Sequence, residues 1–407
     1  MPWKECDSVS LRKELLDLAM AEGANKAELA RRFGVSRKTA YKWLARYQCQ
    51  GLAGLSDQSR RPHEFNHPTP TELEAAVLAV REAHHAWGGR KIHARLKHLG
   101  HVEAPSPSTI TAILHRHHKI DPVESAKRRE LQRFERPEPN DLWQMDFKGE
   151  FKLGNSQWCY PLTVLDDHSR YSLCLAACAD QRAPTVQGQL VEVFRRYGRP
   201  WRMLMDNGTP WRTGHSEGGW TRLAIWLMRL DIALSHGRVC HPQTQGKDER
   251  FHRTFNDEVK PGDWLRDHGH AQQMFDPWRE SYNSERPHEA LDMQPPVSRY
   301  RVSPRGYPDR LPEVSYGPDD QVRAVNQVGQ FRFQGRICKT SEAFRGERIG
   351  MRPTVWDGVW QVYFGRFRIG WLDLRHSPAG KYSLPVTPHR PEDLLPPESA
   401  AANDAAD

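Results

Sequence analysis

Three acidic residues occupy positions that suit chemistry on phosphodiesters. Asp146 lies within the alternating stretch DLWQMDFKGEF, Asp206 follows a short apolar run, and Glu249 comes early in HPQTQGKDERFHRTF. Magnesium prefers carboxylate oxygens, and two adjacent ions can activate an attacking hydroxyl and stabilise a leaving oxygen. The three acids therefore predict a catalytic site with two Mg²⁺ ions, for which Mn²⁺ is expected to substitute.

Other acidic residues compete for this assignment. Asp166 and Asp167 stand where a strand ends, a position typical of turn and capping residues. Asp248 is next to the third acid but points about 100° away from it on a helix. Asp257 and Glu258 look like a solvated helix end. We therefore prefer the first set, although a solvated helix face with intrahelical ion pairs would also explain an acid in this basic stretch.

The surrounding pattern predicts the elements that position these acids. Trp143, Met145 and Phe147 share one face of a strand, with Asp146 on the other. Two β-rich runs follow in QWCYPLTVLDDHSRYSLCLAAC, and 184–198 has helical periodicity. A short strand at 203–205, a helix and strand in TRLAIWLMRLDIALSHG, and the helix of the third acid complete the order β-β-β-α-β-α-β-α.

The N-terminal third is more basic than the rest. Residues 1–140 contain 24 Lys and Arg against 17 Asp and Glu, while the remainder contains 35 against 34. A basic arm on a nearly neutral body indicates nucleic-acid binding. Ordinary solubility charge remains an alternative.

The stretch KAELARRFGVSRKTAYKWLARYQ resembles a helix-turn-helix motif. Gly34 supplies the turn and Ser36 is placed to cap the second helix. The outward face of that helix carries the first DNA-contact candidates: Arg37, Lys38, Tyr41 and Lys42. An ordinary helical hairpin would have the same core but would not need this basic face.

A second helical module follows a linker at 51–63. TELEAAVLAVREAHHAWGGRKIHARLKHLG predicts two helices, and SPSTITAILHRHH predicts a third. Arg90 and Lys91, at the start of the second of these helices, are further DNA-contact candidates. Two helical modules would read a longer DNA site than one.

Several motifs in order, WQMDF, MDNGTPW, HPQTQGKDERFHRTF and SYNSERPHEALDMQPPVSRY, resemble the catalytic core of retroviral-type integrases. The resemblance covers residues 141–300 and is closest to bacterial insertion-sequence transposases of that superfamily. It implies an RNase H-like core with a mixed five-stranded sheet, and a catalytic, metal-binding triad of Asp146, Asp206 and Glu249. Lys247 and Arg253 would contact DNA beside the third acid. Forty-two residues separate the second and third acids, more than is usual in the family, and we assign the excess to the polar stretch 212–220.

The remaining segments complete a multi-domain prediction. We expect a helix-turn-helix domain at 1–62, a second helical DNA-binding domain at 63–118, a basic linker at 119–138 and the core at 139–303. Short β runs at 304–388 resemble the small SH3-like barrels of such recombinases, with arginines that either contact DNA or simply solvate the barrel. Residues 389–407, acidic and rich in Pro and Ala, are predicted to be a disordered tail.

The resemblance implies a DNA transposase that binds the ends of its element, hydrolyses a phosphodiester to free a 3′-OH, and joins that hydroxyl to target DNA. Paired ends imply a homo-oligomer, a dimer or tetramer, on double-stranded DNA. Two alternatives stay open: a catalytically silent DNA-binding regulator, and an RNase H-type nuclease. No apolar run approaches a membrane span, so we expect no membrane partner and a cytoplasmic, nucleoid-associated bacterial protein.

Overall fold

The computed structural model describes residues 8–57, 69–120, 135–212, 219–236, 246–375 and 383–391. The chain divides into two compact units, Met1–Pro68 and Thr69–Asp407. Among the described helices, none is both long enough and apolar enough to cross a membrane. The predicted basic linker segment 127–129 and most of the predicted acidic tail lie outside these ranges.

The first unit contains three helices. They are α1 (Ser8–Ala19), α2 (Lys26–Arg32) and α3 (Arg37–Gln50). Leu15, Ala30 and Ala40 pack together, which allows the helices to approach closely. Gly34 adopts a φ of 64° in the turn, a conformation that favours glycine. The side chain of Ser36 accepts a hydrogen bond from the backbone N–H of Thr39 at 3.1 Å, so the predicted cap is confirmed.

The second unit begins with the second helical module. Its helices are α4 (Thr71–Ala83), α5 (Gly89–His98) and α6 (Pro107–Arg116), as the sequence predicts. Val77, Ile92 and Ile110 form the centre of its core.

A mixed sheet follows. Its strands are β1 (Leu142–Phe147), β2 (Phe151–Lys152), β3 (Trp158–Asp166), β4 (Ser172–Cys178), β5 (Arg202–Met205) and β6 (Ala233–His236). The strand order is β2-β3-β1-β5-β6, with β4 also paired to β3. β1 is antiparallel to β3 and parallel to β5. The predicted mixed sheet is confirmed, with the two-residue β2 as an addition.

Helices cover both faces of this sheet. They are α7 (Ala183–Tyr197), α8 (Arg222–Arg229), α9 (Gly246–Val259) and α10 (His268–Ser284). Phe194 of α7 and Leu227 of α8 pack on Trp143 on one face. Phe251 and Phe275, from α9 and α10, belong to the core on the other face. The sheet is therefore enclosed, and its strand ends provide the accessible polar positions.

The C-terminal region forms two sheets. The first contains β7 (Gln321–Ala324), β10 (Arg348–Pro353), β11 (Val359–Phe364) and β12 (Phe367–Asp373); the second contains β8 (Gln330–Phe333), β9 (Arg336–Lys339) and β13 (Leu384–Pro385). A single bridge between Trp371 and Thr387 links them. Strand ladders do not close them into a ring within the described residues, so the predicted small barrel is not confirmed. Alternating apolar residues indicate a shared core, but they do not distinguish a closed barrel from two packed sheets.

Helix α8 connects this region to the mixed sheet. Leu223 and Leu227 belong to the core of the mixed sheet. Ile225 and Met228, on the same helix, belong to the core of the C-terminal sheets. The Arg222 guanidinium donates to the backbone carbonyl of Ala343 at 3.1 Å. All six residues between the arginines at the two ends of α8 are apolar and buried, so the helix packs against both regions at once.

Candidate active site and DNA-contact surfaces

Asp146 lies near the carboxyl end of β1, at the centre of the sheet. It pairs across the antiparallel ladder with Thr163 of β3. Its Oδ1 accepts a hydrogen bond from the backbone N–H of Phe147 at 2.8 Å. This bond fixes one carboxylate oxygen and leaves the other for a ligand.

Asp206 directly follows β5, the parallel neighbour of β1. The observed register pairs Gln144 with Leu204, so two residues further along Asp146 and Asp206 stand side by side. Neighbouring strands lie about 4.8 Å apart. The Asp206 Oδ1 accepts from the backbone N–H of Gly208 at 3.0 Å, within the Asp-Asn-Gly turn. The strand ends therefore bring the first two acids of the predicted triad together.

Glu249 lies in the first turn of α9, and a buried polar contact holds that helix over β1. His252, three residues after Glu249, has its Nε2 at 2.9 Å from the Thr163 hydroxyl. That hydroxyl donates to the backbone carbonyl of Asp146 at 3.0 Å, so the imidazole must be the donor to Thr163. Burial, followed by the charge of Lys148, lowers the pKa of His252 to about 4, which keeps the ring neutral.

The charges of the three acids interact. Burial first, then Asp206 and later Glu249, raise the pKa of Asp146 to about 6. In the described part of the chain, no three His, Cys, Asp or Glu side chains converge closely enough to hold a metal ion. Residues 237–245, which lead into α9 and include His241, lie outside that part. The site thus combines two adjacent carboxylates with a third whose charge raises the pKa of Asp146. A divalent cation bound by these carboxylates would neutralise their negative charge.

Asp248 is the least expected residue of the site. Its position is compatible with the prediction that its side chain points away from that of Glu249. The sequence did not predict, however, that Asp248 is fully buried. Neither of its carboxylate oxygens has a hydrogen-bond partner within the described structure. Burial, then the charge of Asp146, raises its pKa well above the usual range. Its spacing from the buried Phe251 and Phe255 was a signal in the sequence that could have revealed this.

Of the rival acids, Asp166 is held by the turn, as predicted, whereas the carboxylate of Asp167 contacts groups outside the turn. Asp166 accepts from the backbone N–H of Asn140 at 2.7 Å and from that of Ser169 at 2.8 Å. Asp167 accepts from the side-chain amide of Gln144 at 2.6 Å. It also forms a close ion pair with Lys247, which places this DNA-contact candidate against the turn with only 15% of its side chain exposed. Burial lowers the pKa of Lys247 to about 8.

Glu258 contradicts the sequence prediction. It was expected at a solvated helix end, but only 12% of its side chain is exposed and it pairs with Arg286. The indole N–H groups of Trp87 and Trp278 also donate hydrogen bonds to its carboxylate. No local pattern signals this arrangement, because Trp87 lies 171 residues away in the chain.

The remaining DNA-contact candidates are distributed over separate surfaces. Those of the first unit, Arg37, Lys38, Tyr41 and Lys42, are all exposed on α3. In the second unit Arg90 and Lys91 line a cleft of about 240 Å³ together with Ser108 and Glu289. Arg90 forms an ion pair with Glu289 at 3.1 Å, and Arg253 is exposed on α9.

Family models match most of the described chain. Two integrase core domain models match residues 136–242 and 230–296, and the model "IS481 family transposase, C-terminal domain" matches 320–380. The chain therefore carries the domains of an insertion-sequence transposase with an integrase core. A helix-turn-helix domain model matches 11–63 and a homeodomain-like domain model matches 39–114, so this transposase carries DNA-binding domains before its core.

Relatives of the transposase include proteins of other insertion elements. An insertion element IS476 protein of Xanthomonas euvesicatoria is 26% identical over 284 residues, covering 68% of this chain and 78% of the relative. An insertion element IS407 protein of Burkholderia multivorans is 26% identical and covers 39% of this chain and 54% of the relative. These relatives agree with the family models in identifying a DNA transposase, an enzyme of the polynucleotidyl transferase type.

Solved integrases are also similar. The HTLV-2 integrase catalytic core domain in complex with magnesium is 11% identical, with a TM-score of 0.30, and the match covers 40% of this chain and 99% of that one. A simian T-cell lymphotropic virus intasome in complex with a PP2A regulatory subunit is 14% identical, with a TM-score of 0.35 over 70% of this chain and 91% of that one.

Proposed function

We propose that this transposase cuts at the ends of its element and joins the freed 3′-OH to target DNA at a site formed by Asp146, Asp206 and Glu249. The observation that carries the proposal is the register of β1 and β5, which sets Asp146 beside Asp206. The raised pKa of Asp146, caused by burial and then by Asp206 and Glu249, supports the inclusion of the third acid. Both DNA cleavage and joining would use this one site.

The donor set fits two divalent cations, because carboxylates brought this close repel one another unless positive charge lies between them. Mg²⁺ is the expected ion and Mn²⁺ its substitute; when bound, the ions would polarise the phosphodiester and lower the pKa of the attacking hydroxyl. Asp146, Asp206 and Glu249 would hold them.

The chain's own groups orient this site. The backbone N–H groups of Phe147 and Gly208 each hold one oxygen of the first two acids. The His252 contact to Thr163 keeps α9, and with it Glu249, over β1. Because the imidazole is neutral and already donates to Thr163, we assign it a positioning function rather than proton transfer.

DNA recognition is assigned to the helical parts. Residues 1–62 would bind element ends through Arg37, Lys38, Tyr41 and Lys42, which are exposed on α3. Residues 63–118 would contribute Arg90 and Lys91. Residues 139–303 would perform the chemistry, with 304–388 as a further β region. Two ends must be cut and joined together, so we propose a dimer or tetramer assembled on DNA.

Strand transfer on matching element ends tests this proposal. The wild type is compared with Glu249→Gln, which keeps the size of the side chain but removes its charge. The control is Glu192→Gln, since Glu192 is an exposed acid on α7 whose side chain pairs with Arg195 of the same helix, at 2.9 Å. We expect Mg²⁺-dependent joined products from the wild type and the control, and none from Glu249→Gln, while all three bind end DNA equally.

Two other outcomes would replace the proposal. End binding by the wild type without cleavage or joining, in either Mg²⁺ or Mn²⁺, would identify a catalytically silent regulator. Cleavage without joining, and without preference for end sequence, would identify an RNase H-type nuclease. Equal joining by wild type and Glu249→Gln would remove Glu249 from the site.

A further inference from the structure

The last turn of α9 is held by the second helical module. The His85 Nε2 donates to the backbone carbonyl of Asp257 at 3.1 Å. The Trp87 indole donates to the Glu258 Oε1, also at 3.1 Å. The last carbonyls of a helix have no partner within the helix, so an external donor such as His85 stabilises that end.

Glu258 joins this module to the core. Its other oxygen, Oε2, accepts from the Trp278 indole of α10 at 2.9 Å. Arg286, whose side chain is only 8% exposed, forms a close ion pair with the same carboxylate. Trp87 itself is 1% exposed. A nearly buried carboxylate with a donor from each of three segments fixes their relative positions, because hydrogen bonds to charged groups are among the strongest in proteins.

An ion pair and a histidine contact around this centre limit rotation of the module. Arg95 of α5 lies 2.9 Å from Glu285, and His84 lies 3.5 Å from the same carboxylate. The His84 ring also stacks on Trp87 at a centroid distance of 3.7 Å. The stacking on His84 therefore helps to fix the orientation of the Trp87 indole N–H toward Glu258.

The same helix carries Glu249 at its opposite end. Glu258 lies nine positions after Glu249 along α9, which corresponds to about 13 Å at 1.5 Å per residue. Phe251 and Phe255, between them, are buried in the core. A packed helix of this length moves as a rigid rod, so a change in the orientation of its last turn is transmitted to its first turn.

We propose that Glu258 is a positioning residue: by anchoring the end of α9 to Trp87, it couples the docking of the second helical module to the placement of Glu249. This inference rests on the proposed function, since it assigns Glu249 to the active site. A transposase organised in this way would have its third acid correctly placed only while the DNA-binding module is docked on the core.

The full-length protein tests this coupling through Trp87→Phe, which removes the indole N–H but keeps an aromatic ring. His85→Ala, which removes the other contact to the last turn of α9, is a second and independent variant. The matched control is Glu74→Gln, because Glu74 pairs with Arg116 and His117, both inside the module. Unchanged melting temperatures would show that each variant folds.

Two measurements are made on each protein. Hydrogen exchange follows residues 246–252, the first turns of α9, and single-turnover strand transfer is measured at saturating pre-cleaved end DNA. Losing a hydrogen bond to a charged acceptor corresponds to about a tenfold change in an equilibrium. We expect faster exchange in 246–252 in both variants, with a joining step about tenfold slower in Trp87→Phe and about threefold slower in His85→Ala, whose lost bond is to a neutral carbonyl. End-DNA affinity should be unchanged and the control should resemble the wild type.

The outcomes separate the inference from the proposed function. Faster exchange confined to residues 253–259 and to the module, with joining unchanged, would overturn the coupling and leave Glu258 as a purely structural contact. If no protein joins DNA but exchange in 246–252 still responds to Trp87→Phe, the coupling stands and the proposed function fails.

Discussion

Replacing Asp146 by asparagine should stabilise the metal-free protein, and the gain should depend on pH. Asparagine keeps the oxygen that accepts from the Phe147 N–H but carries no charge. In the folded protein, burial, then Asp206 and Glu249, raise the Asp146 pKa from 3.8 to about 6. Ionisation of Asp146 therefore opposes folding.

The magnitude follows from the pKa difference. Each pKa unit corresponds to about 1.4 kcal/mol, so the shift sets an upper limit of about 3 kcal/mol. Because the carboxylate is partly accessible to water, we expect about 2 kcal/mol. Well below pH 3.8 the carboxyl is protonated in both the folded and unfolded states, and the difference between the two proteins disappears. The difference grows between pH 4 and 6 and is complete above pH 6.

Urea-induced unfolding of wild type and Asp146→Asn, without divalent ions, measures this difference at pH 4, 5, 6, 7 and 8. Titrating groups that do not interact with Asp146 affect both proteins alike, so the difference at each pH reports Asp146 together with the acids whose charge is coupled to it, such as Asp248. Adding Mg²⁺ at pH 8 should stabilise the wild type more than the variant, because the ion neutralises the carboxylate. A variant less stable than the wild type at pH 8, or a difference independent of pH, would refute the electrostatic reasoning.

Three further predictions concern other parts of the molecule. Asp248→Ala should raise the free energy of unfolding by about 1–3 kcal/mol at pH 8, and by less at pH 4, because it removes a buried carboxyl without hydrogen bonds; urea titrations at the two pH values check this, and a loss of stability at pH 8 would contradict it. Arg286→Met should destabilise the second unit by about 3 kcal/mol, since it leaves Glu258 buried without its cation; thermal unfolding measures the effect, and an unchanged melting temperature would speak against a desolvated pair. Arg37→Ala and Lys38→Ala should each reduce the slope of log affinity against log salt for end DNA by about 0.9 if each contacts one phosphate; binding titrations from low to high salt decide, and unaltered slopes would place these residues away from DNA.

Much of the fold could be predicted because it depends on local patterns. Alternation around Trp143 and Met145 indicates β1, and the capping residue Ser36 marks the start of α3. The arrangement of the sheet was predicted from the resemblance to integrase cores, which rests on motifs near the ends of strands. Once β1 and β5 are known to pair in parallel, the placement of Asp146 beside Asp206 depends only on the register. Each acid lies two residues after a member of the pair Gln144–Leu204.

Long-range contacts account for what could not be predicted. Glu258 reads as a surface residue because its partners Trp87 and Trp278 belong to other segments. Lys247 reads as a free cation, but its partner Asp167 lies in a turn 80 residues earlier. Whether the C-terminal strands close into a barrel depends on which edge strands pair. The alternation of apolar residues in the sequence does not determine that pairing.

The two-sided packing of α8 limits how this transposase can be divided for study. Ile225 and Met228 are 2% and 5% exposed because the C-terminal sheets cover them. A fragment that ends near residue 303 would present both side chains to water, next to one another along the helix. Contiguous apolar surface of this kind promotes self-association. A truncated core would therefore be expected to precipitate or form spurious oligomers, and assembly states should be determined on a chain that keeps its C-terminal sheets.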